Sequence, residues 1–326
     1  MAVLFHILLN HCWFLNENKC VYKKIKLCKI LEVYEIEQPS KDKLEEICDL
    51  RQPVLFNYYN EGIIDSCTRE NILDIYGAFD IKIRNVKTLP DNDSELYIPL
   101  PFNSALQAVN DDKEAKYLVE NNGEFLEETG LVKTYKYNDM FLRPYMVSNC
   151  SYDFIMGSVG VRTPFRYELN YRNYFLVTQG EIKVKLAPPK STKYLYEIKD
   201  HENLEFRSLI DPWDVQKQYK ADFNKIKCLE ITIKKGRILY LPAFWWYSIE
   251  FGGSTPGTTH ASICCFKYRT YMNNVAIIPQ LSMRILQSQN VKRTIVKNAT
   301  INDNNITKIN VSEIPLPPVP ESALSI

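Results

Sequence analysis

The sequence predicts an α+β fold built around a small antiparallel β-barrel or jelly roll, with helices packed on one side of it. Two segments carry this prediction, residues 157–189 and residues 234–250, because each combines β-rich runs with a glycine turn between them. The β-rich runs are residues 174–178 and 182–186 around Gly180, and residues 231–233 and 238–241 around Gly236. Short strands of this kind that end at prolines are typical of barrels and jelly rolls.

The first 38 residues are predicted as strands and a hydrophobic segment. The apolar run at residues 2–15 is interrupted by His6, Asn10 and His11, and it falls short of the roughly 20 residues that span a bilayer. It also lacks the basic start of a signal peptide. We therefore expect a buried strand or helix here and no membrane span, with an N-terminal hydrophobic anchor as the alternative.

Residues 39–119 alternate between helix and strand signals. The predicted elements are a helix at 41–48 capped by Ser40, a strand at 53–56, a helix through 76 capped by Thr68, a strand at 81–86, and a helix that begins near 105 after a cap at 101–104 and continues through 119. Such a mixture supports helices flanking the barrel.

Composition narrows the class of protein. The chain has 326 residues and a formal net charge of +1, so nothing attracts it as a whole to nucleic acid. Its nine cysteines show no regular pairing, which favours free buried thiols and an intracellular, cytoplasmic location. Because neighbouring residues of a strand point to opposite faces, we expect Cys264 and Cys265 to face opposite sides of the sheet.

The two barrel segments resemble the core of the cupin-like JmjC family, which are Fe(II)/2-oxoglutarate oxygenases that hydroxylate proteins or demethylate lysine. The matching positions are Thr163, Pro164, Asn173, Gly180, Pro188, Pro189, Gly236, Leu239, Pro242, Trp245 and Trp246. The resemblance covers roughly residues 39–271. It implies a double-stranded β-helix (jelly-roll, cupin) barrel with flanking helices, followed by a C-terminal helix and a Pro-rich tail.

The resemblance also indicates which positions hold the catalytic iron and 2-oxoglutarate in the family. At these positions this chain has different residues. Where it places two histidines and a carboxylate as iron ligands, this chain has Arg166, Glu168 and Tyr247. A guanidinium offers no lone pair to a metal, and one carboxylate does not make a facial triad. The lysine that holds 2-oxoglutarate should follow Gly180 by two residues, but Ile182 stands there. These residues predict a protein without catalytic residues, metal or cofactor; the alternative is an oxygenase that uses Fe(II) and 2-oxoglutarate at a non-standard metal site.

The predicted pocket consists of Thr163, Arg166, Glu168, Asn173, Ile182, Trp245, Trp246, Tyr247 and His260. We expect Arg166 to pair with Glu168, with the Tyr247 hydroxyl or with an anion, because an unpaired buried guanidinium is costly. An anion there would make the protein a small-ligand sensor. His260 is the histidine within reach of this pocket, and its predicted role is structural because two ligands do not hold a metal.

The C-terminal region is predicted to mediate contacts with proteins. Apolar residues at helical spacing, including Leu281 and Ile285, predict an amphipathic helix within residues 272–298. The tail at 299–326 carries a proline-rich run at 315–320, expected as an extended polyproline II arm that docks on a partner or stays disordered. The resemblance implies self-association through the C-terminal helix.

The preferred interpretation is a catalytically inactive binding or structural subunit. Cupin-like proteins with a similar Trp-Trp-Tyr segment occur in large DNA viruses, so the resemblance implies a virion-associated version of this role. The domains expected from these arguments are 1–38, 39–271, 272–298 and 299–326.

Overall fold

The computed structural model describes residues 33–87, 97–252 and 260–289. The N-terminal hydrophobic segment, the end of the predicted C-terminal helix and the Pro-rich tail lie outside the described residues. None of the helices in the described ranges is long and apolar enough to cross a membrane.

The N-terminal part alternates short strands and helices, as the sequence predicted. Its elements are β1 (Tyr34–Ile36), α1 (Lys41–Asp49), β2 (Val54–Asn57), α2 (Glu61–Ser66), α3 (Arg69–Tyr76), β3 (Asp80–Asn85), β4 (Ile98–Pro101), α4 (Phe102–Asp111), β5 (Tyr117–Val119), α5 (Gly123–Glu128) and α6 (Val132–Asn138). Both predicted caps are confirmed, because the Ser40 and Thr68 side chains accept bonds from the first turns of α1 and α3.

The predicted helix at 105–119 is wrong at both ends. Helix α4 starts earlier, with Pro101 at its N-cap position, and it ends at Asp111. The Asp112 carboxylate then accepts backbone bonds from Glu114, Lys116 and Tyr117. An aspartate that bonds the following amides favours a turn over a continued helix, so the chain turns and enters β5.

The C-terminal part is richer in strands. Its elements are β6 (Val147–Gly157), β7 (Arg166–Tyr167), β8 (Arg172–Gln179), β9 (Glu181–Ala187), β10 (Glu197–Asp200), β11 (Glu205–Ser208), α7 (Lys220–Phe223), β12 (Leu229–Lys234), β13 (Arg237–Pro242), β14 (Trp246–Phe251), β15 (Ser262–Thr270), α8 (Tyr271–Ala276) and α9 (Ile278–Gln289). Pro242 ends β13 as predicted, and two helices separated at Ile277 occupy the described part of the predicted C-terminal helix.

The strands form two sheets. The large sheet has the order β1-β2-β13-β8-β15-β6-β5-β3-β4, and the small sheet has the order β10-β11-β7-β14-β9-β12. The predicted order of strand, turn and strand around Gly180 and Gly236 is confirmed, but the two strands at each turn do not pair with each other, because β8 and β9 belong to different sheets, as do β12 and β13. Gly180 and Gly236 have φ of 69° and 82°, so these left-handed glycine turns pass the chain from one sheet to the other.

Burial explains why β8 does not form a hairpin with β9. Seven consecutive residues of β8 are buried, so both faces of this strand are covered. It lies between β13 and β15 in the large sheet, whereas β9 shows the alternating burial of a strand with one covered face.

Two hydrophobic layers cover the large sheet. One lies between the two sheets and includes Phe175, Leu239 and Cys265, together with small-sheet residues such as Ile249. The other lies between the large sheet and the helices, and it includes Cys264. The prediction that Cys264 and Cys265 face opposite sides is thus confirmed, and the α+β character of the fold is confirmed with it.

Candidate functional site

The structure brings Arg166, Glu168 and Tyr247 together. Arg166 and Tyr247 are direct partners in the antiparallel pairing of β7 with β14, and Glu168 follows β7 immediately. The Tyr247 hydroxyl donates to Oε1 of Glu168 at 3.1 Å. The Arg166 guanidinium lies 5.7 Å from the centroid of the Tyr247 ring. The three side chains therefore share one site between the sheets.

Arg166 pairs with Glu120, a residue that the sequence analysis did not identify. Nη1 donates to Oε1 of Glu120 at 3.0 Å and Nη2 donates to Oε2 at 2.5 Å, a bidentate arrangement. Nε of Arg84, on β3, lies 2.8 Å from the same Oε1. The predicted pair between Arg166 and Glu168 is wrong, because a carboxylate from β5's end offers Arg166 both oxygens.

Glu168 is held by a lysine instead. Nζ of Lys267, on β15, donates to Oε1 of Glu168 at 3.0 Å. A further carboxylate, Glu205 on β11, lies 3.3 Å from Nη1 of Arg84 and 3.8 Å from Nη1 of Arg166. We call this set of interlocking ion pairs the charge cluster: Arg84, Glu120, Arg166, Glu168, Glu205 and Lys267.

The ion pairs keep these groups charged despite their burial. Burial acts to raise the pKa of Glu120, but the guanidiniums of Arg166 and Arg84 outweigh it and lower that pKa to about 2. Burial likewise acts to raise the pKa of Glu168, and Lys267 and Arg166 lower it. Burial acts to lower the pKa of Lys267, whereas Glu168 raises it well above its ordinary range. These opposing charges therefore keep Glu120, Glu168 and Lys267 ionised at neutral pH.

A small polar cavity of about 110 Å³ adjoins the charge cluster. Its lining includes five members of the charge cluster (Glu120, Arg166, Glu168, Glu205 and Lys267), and the other lining residues are Tyr97, Asn121, Asp153, Tyr167, Asn203 and Leu204. Burial raises the pKa of Asp153, although the backbone amides of Asn121 and Asn122 donate to its carboxylate. Sites for drug-sized ligands usually measure roughly 300–1,000 Å³, so this cavity has room for water or a small polar group.

Comparison with known proteins identifies the family. The sequence matches the family model of the cupin-like domain over residues 90–266. The chain belongs to this family. The chain is also similar to HSPB1-associated protein 1 from Bos taurus, Rattus norvegicus and Homo sapiens, with 27% identity over 96 residues in each case. That stretch is 29% of this chain, and the chain spans about a fifth (20%) of the length of these relatives.

The site of this cupin-like domain does not fit iron. Among the residues that the structure describes, no group of three or more His, Cys, Asp or Glu side chains is arranged to hold a metal ion. Oε1 of Glu168 already accepts bonds from Tyr247 and Lys267. Arg166 is a cation without a lone pair, and it would repel a second positive charge. Glu168 alone would be left as a ligand, which is fewer than a facial triad needs.

The other predicted pocket residues do not line the cavity of the cupin-like domain. The Thr163 hydroxyl accepts the backbone N–H of Ile249, and the Asn173 amide donates to the Leu241 carbonyl. Ile182 and Trp245 lie in the layer between the sheets. These side chains stabilise the strands around the site.

Trp246 and His260 also lie away from the cavity. Trp246 belongs to a separate cluster with Phe165. His260 precedes β15, far along that strand from Lys267, and burial with the nearby charge of Arg69 lowers its pKa. This position separates His260 from Glu168, which bonds Lys267, and the structural role of His260 stays a prediction.

The sequence contained a signal that could have identified Lys267 as a site residue, but it contained none for Glu120. Ile263 and Cys265 face the layer between the sheets, so Lys267 continues the same face of β15 two residues later. A lysine at an inward position of a buried strand requires a buried partner. Glu120 follows β5 as a single acidic residue, and only the fold brings it to Arg166, which is 46 positions away.

Acid is expected to destabilise the cupin-like domain through Glu120. Its pKa of about 2 in the folded state lies below the ordinary value of 4.5. The resulting stabilisation is fully present above pH ~4.5 and is lost as the pH falls toward ~2, a loss of about 3 kcal/mol. Urea unfolding of the parent and of Glu120→Gln between pH 6 and pH 2 measures it. The variant takes up no proton at this position, so its stability should fall less; equal slopes would contradict the prediction.

Proposed function

We propose that this cupin-like domain has no oxygenase activity and serves as a binding or structural subunit for a protein partner. The carrying observation is Arg166, a cation at the position where the resemblance expects a metal ligand. Its guanidinium is bound by both oxygens of Glu120. A cation in that place, itself neutralised by a buried carboxylate, closes the position to a second cation.

The residues expected to hold 2-oxoglutarate support the same proposal. Ile182 is fully buried among apolar side chains of both sheets, so it presents no charge to a carboxylate. The Nζ of Lys267 donates a hydrogen bond to Glu168, so this lysine already has a carboxylate partner within the protein. The passage of β8 into β9, and of β12 into β13, from one sheet to the other supports the double-stranded β-helix assigned by resemblance.

Two observations support a protein partner inside the cell. The relatives that match this chain are named as proteins associated with HSPB1, which suggests that this chain too acts through protein contacts. The described cysteines are free thiols, among them Cys48, Cys67 and Cys264, as expected in a reducing compartment.

Helix α9 exposes Ile278, Met283 and Leu286 and is the proposed self-association surface. The virion-associated version of the role rests on the resemblance alone.

Metal analysis and thermal melting test this proposal. Purified protein should contain no stoichiometric Fe, Mn, Co or Zn, and 2-oxoglutarate should leave its melting temperature unchanged. A ligand present at about one hundred times its dissociation constant would add ~2.7 kcal/mol to the stability, which a melting curve detects. An active Fe(II)/2-oxoglutarate oxygenase purified in the same way serves as the control. If the protein contained stoichiometric metal and 2-oxoglutarate raised its melting temperature, the result would favour the alternative, an oxygenase with a non-standard metal site.

A further inference from the structure

Several large aromatic and sulfur-containing side chains are exposed on neighbouring segments of the chain. Their exposed fractions lie between 48% and 85%. We call this set the tyrosine surface: Tyr59, Tyr137, Met140, Tyr145, Met146 and Tyr271. Large exposed apolar patches usually mark sites of interaction.

Hydrogen bonds join the segments that form the tyrosine surface. The residues on either side of Tyr59 both bond to Asn138, the neighbour of Tyr137: the Tyr58 hydroxyl donates to its carbonyl and the Asn60 amide donates to its side chain. The backbone N–H of Tyr271 donates to the Met146 carbonyl at 3.3 Å. The segments that carry these side chains are therefore adjacent: the loop after β2, the end of α6, the loop after it and the start of α8.

Basic residues border the tyrosine surface. Helix α6 has the sequence VKTYKYN, so Lys133 and Lys136 precede Tyr137 by four positions and one position, and no acidic residue lies within the helix. Both lysines are exposed. Nζ of Lys41 lies 5.9 Å from the centroid of the Tyr145 ring. A suitable occupant thus has apolar groups that stack on tyrosine rings and carboxylates that meet lysines.

A segment of this chain has that chemistry. Residues 315–320 read PLPPVP, and Glu313 and Glu321 lie on either side of them. Proline-rich segments adopt polyproline II and dock on surfaces lined with aromatic side chains, at low entropic cost because the conformation is already formed. We propose that residues 313–321 dock on the tyrosine surface of the same chain, with the two glutamates toward the lysines of α6.

The length of the chain permits this contact. The described residues end at Gln289, and about 25 residues separate it from Pro315; a chain of that length spans up to about 80 Å. Helices α8 and α9 lead away from Met146 over 19 residues, which is at most roughly 28 Å of helix. Attachment to the same chain also gives the segment an effective concentration on the order of millimolar, and a separate partner has to compete with it. Docking therefore means that a partner using this face first displaces the tail.

Zero-length cross-linking of the full chain tests the contact. A carbodiimide joins a lysine amine to a carboxylate only when the two touch, and peptide mass spectrometry of the monomer band locates the amides formed. We expect links from Lys133 or Lys136 to Glu313 or Glu321. They should fall at least about fivefold when Tyr137→Ala and Tyr145→Ala are combined, because aromatic anchors supply most of such binding.

Two further variants make the test specific. A chain carrying Pro315→Ser, Pro317→Ser, Pro318→Ser and Pro320→Ser should lose the links to the same extent, because the polyproline II conformation is then no longer favoured. Tyr196→Ala removes an exposed tyrosine whose hydroxyl bonds Asp222 elsewhere on the surface, and it should leave the links unchanged. The proposal is overturned if the links are absent, if both variant sets leave them intact, or if they occur only between two copies in a dimer band. This outcome is independent of the metal content that tests the proposed function.

Discussion

Replacing Glu120 with alanine is expected to lower the free energy of unfolding by about 3–5 kcal/mol, because it leaves buried positive charges without their main partner. Arg84 and Arg166 would then share only Glu205, which lies 3.3 Å and 3.8 Å from them. The side chains of Arg84 and Glu120 are 2% and 3% exposed, so bulk solvent has little access to the two guanidiniums. Urea unfolding at pH 7, followed by circular dichroism, measures the effect.

Glu124→Ala is the matched control for this variant. Glu124 also forms an ion pair, with Lys82 at 2.7 Å, but its side chain is 75% exposed. Exposed pairs of this kind contribute about 0–1 kcal/mol. If Glu120→Ala were no more destabilising than Glu124→Ala, the charge cluster would not fix Arg166 in place, and the main support for the proposed function would be lost.

Replacing Trp246 with alanine is expected to destabilise the fold by about 3–5 kcal/mol, as the loss of a large buried aromatic side chain does. Trp246 is completely buried. Its ring packs 5.6 Å from the Phe165 ring and 4.9 Å from the Tyr167 ring, and its Nε1 donates to the Thr192 hydroxyl at 2.8 Å. The substitution would leave a cavity between the small sheet and the segment at 189–194. Chemical denaturation again provides the measurement.

Trp246→Phe separates the packing of this ring from its hydrogen bond. Phenylalanine keeps most of the apolar contact and loses only the N–H donor, so we expect a cost near 1 kcal/mol beyond the small change in volume. Should Trp246→Ala melt like the parent protein, the assignment of this residue to a buried cluster would be wrong.

Local sequence patterns were sufficient to predict features that depend only on neighbouring residues. The caps at Ser40 and Thr68 depend on atoms within one helical turn. The opposite orientation of Cys264 and Cys265 follows from the two-residue period of a strand, and the structure places them in separate layers. In such cases the residue type and its spacing contain the information that is needed.

Pairing between distant segments was not predictable in this way. Gly180 correctly marks a turn, but the choice between a hairpin and a change of sheet depends on what covers both faces of β8. A buried Arg166 correctly predicts a buried anionic partner, but the sequence contains several carboxylates and does not show which of them pairs with Arg166. The fold selects Glu120, because β5 lies in the large sheet and β7 in the small sheet, and the packing of the two sheets brings Glu120 to Arg166.

The opposed orientation of Cys264 and Cys265 provides a means to observe the two layers of the core separately. Both thiols are fully buried, one against the helices and the other between the sheets. A thiol reagent can react with each only when its own layer opens, so the two modification rates report two local opening equilibria from adjacent positions of one strand. Comparing the single variants Cys264→Ala and Cys265→Ala would assign each rate. The protein therefore carries a pair of natural kinetic probes, which show whether the helical layer loosens before the sheets separate.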